Sequence, residues 1–329
     1  MTMLSQSLKR LLCAGLLASC LPVQAADIPT IRVGWTIPGE EAKYWMMRRP
    51  DAFPDLGKTY RIEWVQFQGT APMVQAMLAG ALDCSSQAPL SLGQGAAESG
   101  LQAYILNQHV GEKPGSFSVY WGVPEESPIK SIADLKGKTV GVNVYGSGVY
   151  GGMAMLLKKN GVDPEKDIKL VETGFPGSEA AIRGGRVDAG VFVQPFASRA
   201  EAKGGLRKVF ALSDLMPNTV HVMEVCKKDW VDANPEAARR YSRDMAAAMK
   251  MALANREETI KVVSEVTRAP APALEPYLLK ASDFAREPGM HPDYAAVQAM
   301  FDMYHSLGLI KKPLSVASFR RDDVAAPAQ

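Results

Sequence analysis

The 329-residue chain offers little of what an active site needs. Its four histidines stand apart at positions 109, 221, 291 and 305. No Ser, His and Asp fall in a nucleophile-and-base order, and neither paired carboxylates nor metal-ligand spacing stands out. What the chain does carry is a set of short polar and aromatic groups at the ends of predicted strands. In one half these are Trp35, Thr36, Gln68, Gly69, Thr70, Ser86 and Gln87; in the other they are Tyr145, Gly146, Ser147, Tyr150, Gln194 and Phe196. Such groups hold a small molecule by hydrogen bonds and ring contact rather than transform it. Helix starts expected at Thr70 and Ser147 add free backbone N–H groups and partial positive charge, which suits an anion. Plainer readings stand beside these. Thr70 and Ser147 serve equally as helix caps, Gln68 and Gln87 as solvated strand ends, and Trp35, Tyr145 and Tyr150 as core aromatics. His109 and His221 fall at a strand end and on a strand. Arg48 and Arg49 read as solvated surface and the methionines from Met245 to Met251 as packing.

The elements that must position these groups alternate along the chain. Residues 139–144 form a β-branched, apolar run without helical period, as a strand covered on both faces requires. It runs through Tyr145 and Gly146 into a helix opened by Ser147, with Met153, Leu156 and Leu157 on its apolar stripe. Ahead of it, strands are expected at 31–35, 60–67, 81–85 and 102–106, with helices near 40–49 and from Thr70. After it come strands at 168–171 and 188–193 and a short helix opened by Ser178. Segments 117–123 and 219–225 are strands that cross between two halves. Asn234 and Pro235 open a helical tail, with further helices after Pro270 and Pro292. Alternation of this kind predicts an α/β protein of two lobes, each a mostly parallel sheet flanked by helices, with the C-terminal helices on the first lobe. Residues 26–120 and 222–329 make lobe 1, and 121–221 make lobe 2.

The N-terminus lies outside both lobes. Lys9 and Arg10 precede an apolar run from Leu11 to Val23 that is too short for a membrane span, and Val23, Gln24, Ala25 reads as a cleavage site. Residues 1–25 are therefore a signal peptide, with a lipid-anchored form through Cys20 as the alternative. Removing them leaves basic and acidic side chains equal in number, which gives no footprint for nucleic acid or anionic membrane. Cys84 and Cys226 remain. Two cysteines are not a disulfide framework, and the sequence leans towards free thiols while leaving their pairing open.

Three segments carry a resemblance: VQFQGTAPMVQAMLAGALDCSSQAP at 65–89, SPIKSIADLKGKTVGV at 127–142 and IKLVETGFPGSEAAIRGGRVDAGVFVQP at 168–195. Over about residues 28–225 the chain resembles the periplasmic substrate-binding proteins of ATP-binding-cassette (ABC) importers, in the branch of sulfonate, taurine and nitrate binders and the NMT1/THI5-like group. The resemblance implies a type II clamshell that closes on a small organic anion and delivers it to an ABC permease of the inner membrane. It implies a periplasmic monomer with no cofactor, metal or catalytic residue. Two departures bear on the ligand. Tyr150 stands where many relatives have a His, and Gln194 replaces an acidic residue before Pro195, which removes a partner for an amino group such as taurine carries. A ligand-bearing partner of a sensor or chemoreceptor, and a pyrimidine-precursor binder or enzyme of the THI5-like group, are the other readings. The Cys cluster of that enzyme has no match here.

Overall fold

The computed structural model describes residues 28–216 and 218–325. The expected signal peptide, the lipid-anchor cysteine Cys20 and the last four residues lie outside that range. The first lobe is built on β1 (Thr30–Trp35), β2 (Arg61–Gln66), β3 (Cys84–Gln87) and β4 (Ala103–Glu112), with helices α1 (Glu41–Arg48), α2 (Thr70–Leu78) and α3 (Pro89–Ser99) between them. The second is built on β5 (Tyr120–Pro124), β6 (Thr139–Val142), β7 (Lys169–Glu172), β8 (Gly190–Phe192) and β9 (Leu206–Ala211), with α4 (Gly148–Lys159), α5 (Gly174–Arg183) and α6 (Phe196–Lys203). The chain then returns as β10 (Thr219–Lys227) and ends in α7 (Lys228–Ala233), α8 (Pro235–Ala254), α9 (Arg256–Thr267), α10 (Ala271–Leu274) and α11 (Tyr294–Ser306).

The first sheet has the order β2-β1-β3-β10-β4, with β10 antiparallel to both neighbours and the β1–β2 pairing parallel in register Thr30 to Arg61 through Trp35 to Gln66. In the second lobe β6 pairs β7 in parallel, β5 lies antiparallel between β8 and β9, and a parallel bridge from Val140 to Ala189 joins the two sets. The order β7-β6-β8-β5-β9 that results repeats the pattern of the first sheet. Each sheet thus takes one antiparallel strand directly after a crossing, so the expected α/β clamshell is what the chain forms. Thr219 and Val220 pair with Glu112 and Gly111 in the first sheet, and Tyr120 pairs with Phe192 in the second.

Apolar burial divides the molecule into three clusters. The largest runs through both lobes, from Met73, Leu90 and Val110 to Trp121, Val140 and Met153. A Cβ at Gly148 would stand 2.5 Å from Ala88, so this glycine lets α4 lie directly on the start of α3. A second cluster packs α1, α8 and α9 on the far face of the first sheet through Tyr44, Trp45, Tyr241, Met245 and Ile260. Its amphipathic helices follow from the sequence, because Tyr241, Met245, Met249 and Ala252 fall on one stripe of α8 and all are buried.

The second cluster also holds a bond that the sequence did not favour. Cys84 and Cys226 face each other on neighbouring strands β3 and β10 and form a disulfide across 142 residues. Directly opposite register on an antiparallel pair brings their Cα atoms to 4.0 Å, and that proximity depends on a strand order no local pattern reveals. Other elements moved by a few residues. The helix expected from Ser178 opens at Gly174, and β3 continues through Gln87 where the sequence suggested an end at Ser85. Asn234 sits at the start of α8 but its side chain caps nothing there; its Nδ2 donates to the Trp230 carbonyl at 3.0 Å.

Candidate ligand-binding site

The carboxyl ends of the strands in both lobes face a common cleft, as open α/β sheets dictate. Two connected spaces occupy it. The outer one is a chamber of about 650 Å³ walled by Phe67, Phe175, Phe196, Tyr277 and Phe284 and touched by Thr36, Gln68 and Gln194. The inner one is a small recess between Thr36, Gly69, Thr70, Asn143, Ser147 and His221. Thr36, Asn143, Phe175 and Phe284 border both, so the recess is the floor of the chamber.

The recess is made by two helix starts from opposite lobes. In the first lobe the residue before α2 is Gly69, which has no side chain to cap the helix. Thr70 is therefore not the cap expected from sequence: its Oγ1 is buried and has no hydrogen-bond partner among the described residues. A buried hydroxyl left unpaired costs about 1–3 kcal/mol, which a bound acceptor would recover. In the second lobe Ser147 is a cap. Its Oγ accepts from the Tyr150 backbone N–H at 3.2 Å and donates to Asn143 Oδ1 at 2.8 Å. Two helix N-termini aimed into one recess each favour negative charge by about 0.3–1 kcal/mol. His221 closes another side, with Nε2 at 2.7 Å from Glu112 Oε1.

A buried ionic cluster holds the floor from below. The Lys43 side chain is 0% exposed and reaches Glu224 at 2.7 Å, Glu40 at 3.4 Å, Ser86 Oγ at 2.6 Å and the Gly34 carbonyl at 2.9 Å. Glu224 also meets His109 at 3.2 Å and the Tyr241 hydroxyl at 2.8 Å. Burial pushes the Glu224 carboxyl up, but Lys43 and His109 together bring it below the ordinary value. For Glu40 burial wins, and its carboxyl is raised. Glu40 Oε1 accepts the Thr36 backbone N–H at 3.0 Å, which ties the cluster to the cleft. At the edge of the chamber Arg286 forms a second buried group, with Glu41 at 2.8 Å and Asp283 at 2.9 Å.

The structure gathers Thr36, Gln68, Gly69, Thr70, Ser147, Gln194 and Phe196 at the cleft. It does not place Trp35, Ser86, Gln87, Tyr145, Gly146 or Tyr150 on either wall. Trp35 turns its ring edge onto Tyr44 in the core. Because β3 runs on through Gln87, Ser86 faces Lys43 and Gln87 spends its amide on Ser85 and Ser91. Tyr145 is 51% exposed and lies tilted against the ring of buried Tyr150 outside the cleft, and Gly146 makes the turn between them with φ +74°. Asn143 was passed over inside a run read as apolar, where a polar side chain is the signal that would have marked it. Phe175 and Arg268 come from helix ends, Phe284 from a loop and Arg199 from within α6, with no local signal. Among the described residues, the grouping with metal-ligand character is Cys84, Glu224 and Cys226, and its two sulfurs are bonded to each other, which leaves no thiolate.

Architecture and cleft together define a periplasmic-binding-protein fold, and comparison with solved structures agrees. The alkanesulfonate-binding protein SsuA from Xanthomonas axonopodis pv. citri, bound to MOPS, superimposes with a TM-score of 0.72 at 21% identity, covering 89% of this chain and 98% of that one. The periplasmic nitrate-binding protein NrtA from Synechocystis PCC 6803 gives 0.68 at 14% identity, covering 89% and 84%. The chain belongs to the NMT1-like family, whose model matches residues 24–267. In sequence it is 25% identical over 259 residues to a putative aliphatic sulfonates-binding protein of Escherichia coli (strain K12), covering 78% of each chain. Among the described residues no helix is long and apolar enough to cross a membrane.

Proposed function

We propose that this protein is a periplasmic solute-binding protein. In this reading it captures a small organic anion, of sulfonate or aromatic carboxylate type, between its lobes and delivers it to an ABC permease. The observation that carries the reading is the recess beneath the aromatic chamber. There the unpaired Thr70 Oγ1 and the first turn of α2 face the start of α4 from the other lobe. An anionic head group accepts from these donors, and its organic part lies against Phe67, Phe175 and Phe284. Sulfonates and nitrate, for which similar proteins are named, are both oxyanions. Gln194 carries no charge, and its Oε1 already accepts from the Ser198 N–H and hydroxyl, so an ammonium group finds no carboxylate there. The protein is a monomer exported by residues 1–25, and the site binds without catalysis or cofactor.

The test is thermal stability of residues 26–329 against alkane- and arenesulfonates, aromatic carboxylates, nitrate and taurine. A ligand at one hundred times its dissociation constant adds about 2.7 kcal/mol, an easily read shift. The expected result is a selective rise with one anion class that Thr70→Val abolishes. No rise with any of these anions refutes the assignment of the recess.

A further inference from the structure

Two exposed arginines border the outer chamber from opposite lobes, and among the described residues neither has an acidic partner to itself. Arg268 follows α9 in a left-handed conformation, φ 62° and ψ 12°, at a helix end where glycine is the usual residue. A side chain held there costs backbone energy, and the side chain chosen is a long cation that borders the chamber. Among the described residues its guanidinium has no ion pair or side-chain hydrogen bond. Arg199 lies on α6, its guanidinium carbon 5.4 Å from the Phe196 ring centre. Among the described residues its acidic neighbour is Glu179, 3.8 Å away and already shared at 2.9 Å by Arg183 and Lys203. Three cations around one carboxylate leave positive charge in surplus on this wall.

The chamber also carries carboxylates: Glu41 and Asp283 share Arg286, and Glu172 accepts the Tyr145 N–H at 2.7 Å with no cation as partner among the described residues. A chamber of about 650 Å³ is also far larger than the recess below it, so a bare inorganic anion would leave most of the cleft empty.

We infer that the chamber takes a second anionic group: the ligand is an organic dianion, one end in the recess and the other held between Arg199 and Arg268. The inference rests on the head-group assignment made above. Because the two arginines come from different lobes, the distal group also ties the lobes together. Charge-assisted bonds at a partly solvated rim are worth about 1.4 kcal/mol, which is tenfold in affinity.

Matched probes test this by calorimetry: benzenesulfonate against 4-sulfobenzoate, benzoate against terephthalate, and 2-naphthalenesulfonate against 2,6-naphthalenedisulfonate. The wild-type protein should bind the dianion of at least one pair about tenfold more tightly, by an advantage that shrinks with added salt. Arg268→Gly, which suits the left-handed backbone, and Arg199→Gln should each erase that advantage while leaving the monoanion's affinity within about twofold. Equal binding within every pair, or an advantage that survives both substitutions, overturns the second site and leaves the recess standing. If no probe binds at all, the head-group assignment falls and the second site falls with it.

Discussion

Replacing Lys43 by Met would remove the only cation in direct contact with both Glu40 and Glu224 among the described residues. All three side chains are 0% exposed, so water cannot substitute for the ammonium group. Breaking a buried pair by deleting one partner costs about 3–5 kcal/mol. The Ser86 hydroxyl and the Gly34 carbonyl lose a donor at the same time. For a chain of this size that corresponds to a fall in melting temperature of about 5–8 °C. The loss should depend on pH in a definite direction. Lys43 is the largest influence holding the Glu224 carboxyl down, and the Glu40 carboxyl is already raised. Without Lys43 both carboxyls in the folded state sit above their unfolded values. The folded state then binds more protons than the unfolded one, and stability rises as pH falls from 7.5 towards 5. Denaturant unfolding of wild type and Lys43→Met at pH 5.0 and 7.5 measures both effects. The double variant Lys43→Met with Glu224→Gln should recover part of the loss. A cost below about 1 kcal/mol, or a cost equal at the two pH values, would refute the claim that the cluster is ionic and closed to water.

Three further outcomes follow from particular contacts. Reduction of the Cys84–Cys226 bond, or Cys84→Ser, should lower stability by about 2–5 kcal/mol, because it frees a 142-residue loop in the unfolded chain; melting with and without a strong thiol reductant reads this. Gly111→Ala should cost about 3 kcal/mol of stability, read by denaturant unfolding, since its Cβ would stand 2.3 Å from the Thr219 carbonyl oxygen, which is backbone and cannot step aside. Ser147→Ala should weaken anion binding and also cost about 1 kcal/mol of stability through the lost cap, as unliganded and liganded melting curves will separate.

The fold was legible because its signals are local. Strand ends, helix starts and the apolar stripe of α8 each show within a dozen residues, and their alternation fixes the class. The site was half legible for the same reason. Thr36, Gln68 and Ser147 follow strand ends that the pattern located well. Ser86 and Gln87 were misjudged because β3 runs two residues longer, and in a strand that shift decides whether a polar group meets the cleft or the core. Thr70 and Ser147 look identical in sequence, each a hydroxyl at a helix start. Only the neighbouring Gly69, which takes the place before the helix, makes the first a free donor and leaves the second a cap. The Cys84–Cys226 bond, Arg199 and Arg268 depend on which strands and helices become neighbours, and no window of sequence holds that.

The position of β10 in the middle of the first sheet, between β3 and β4, has a consequence for the order in which the molecule can be completed. A chain made from its N-terminus presents β1 to β4 first, but β3 and β4 have no hydrogen-bonded neighbour on the sides that will face each other. That slot stays open until all of the second sheet has been made and the chain has crossed back. During this interval the first lobe exposes two unsatisfied strand edges of the sort that recruit foreign strands. The second sheet's strands are contiguous in sequence and wait for nothing. The lobe that begins the chain is therefore the last to close.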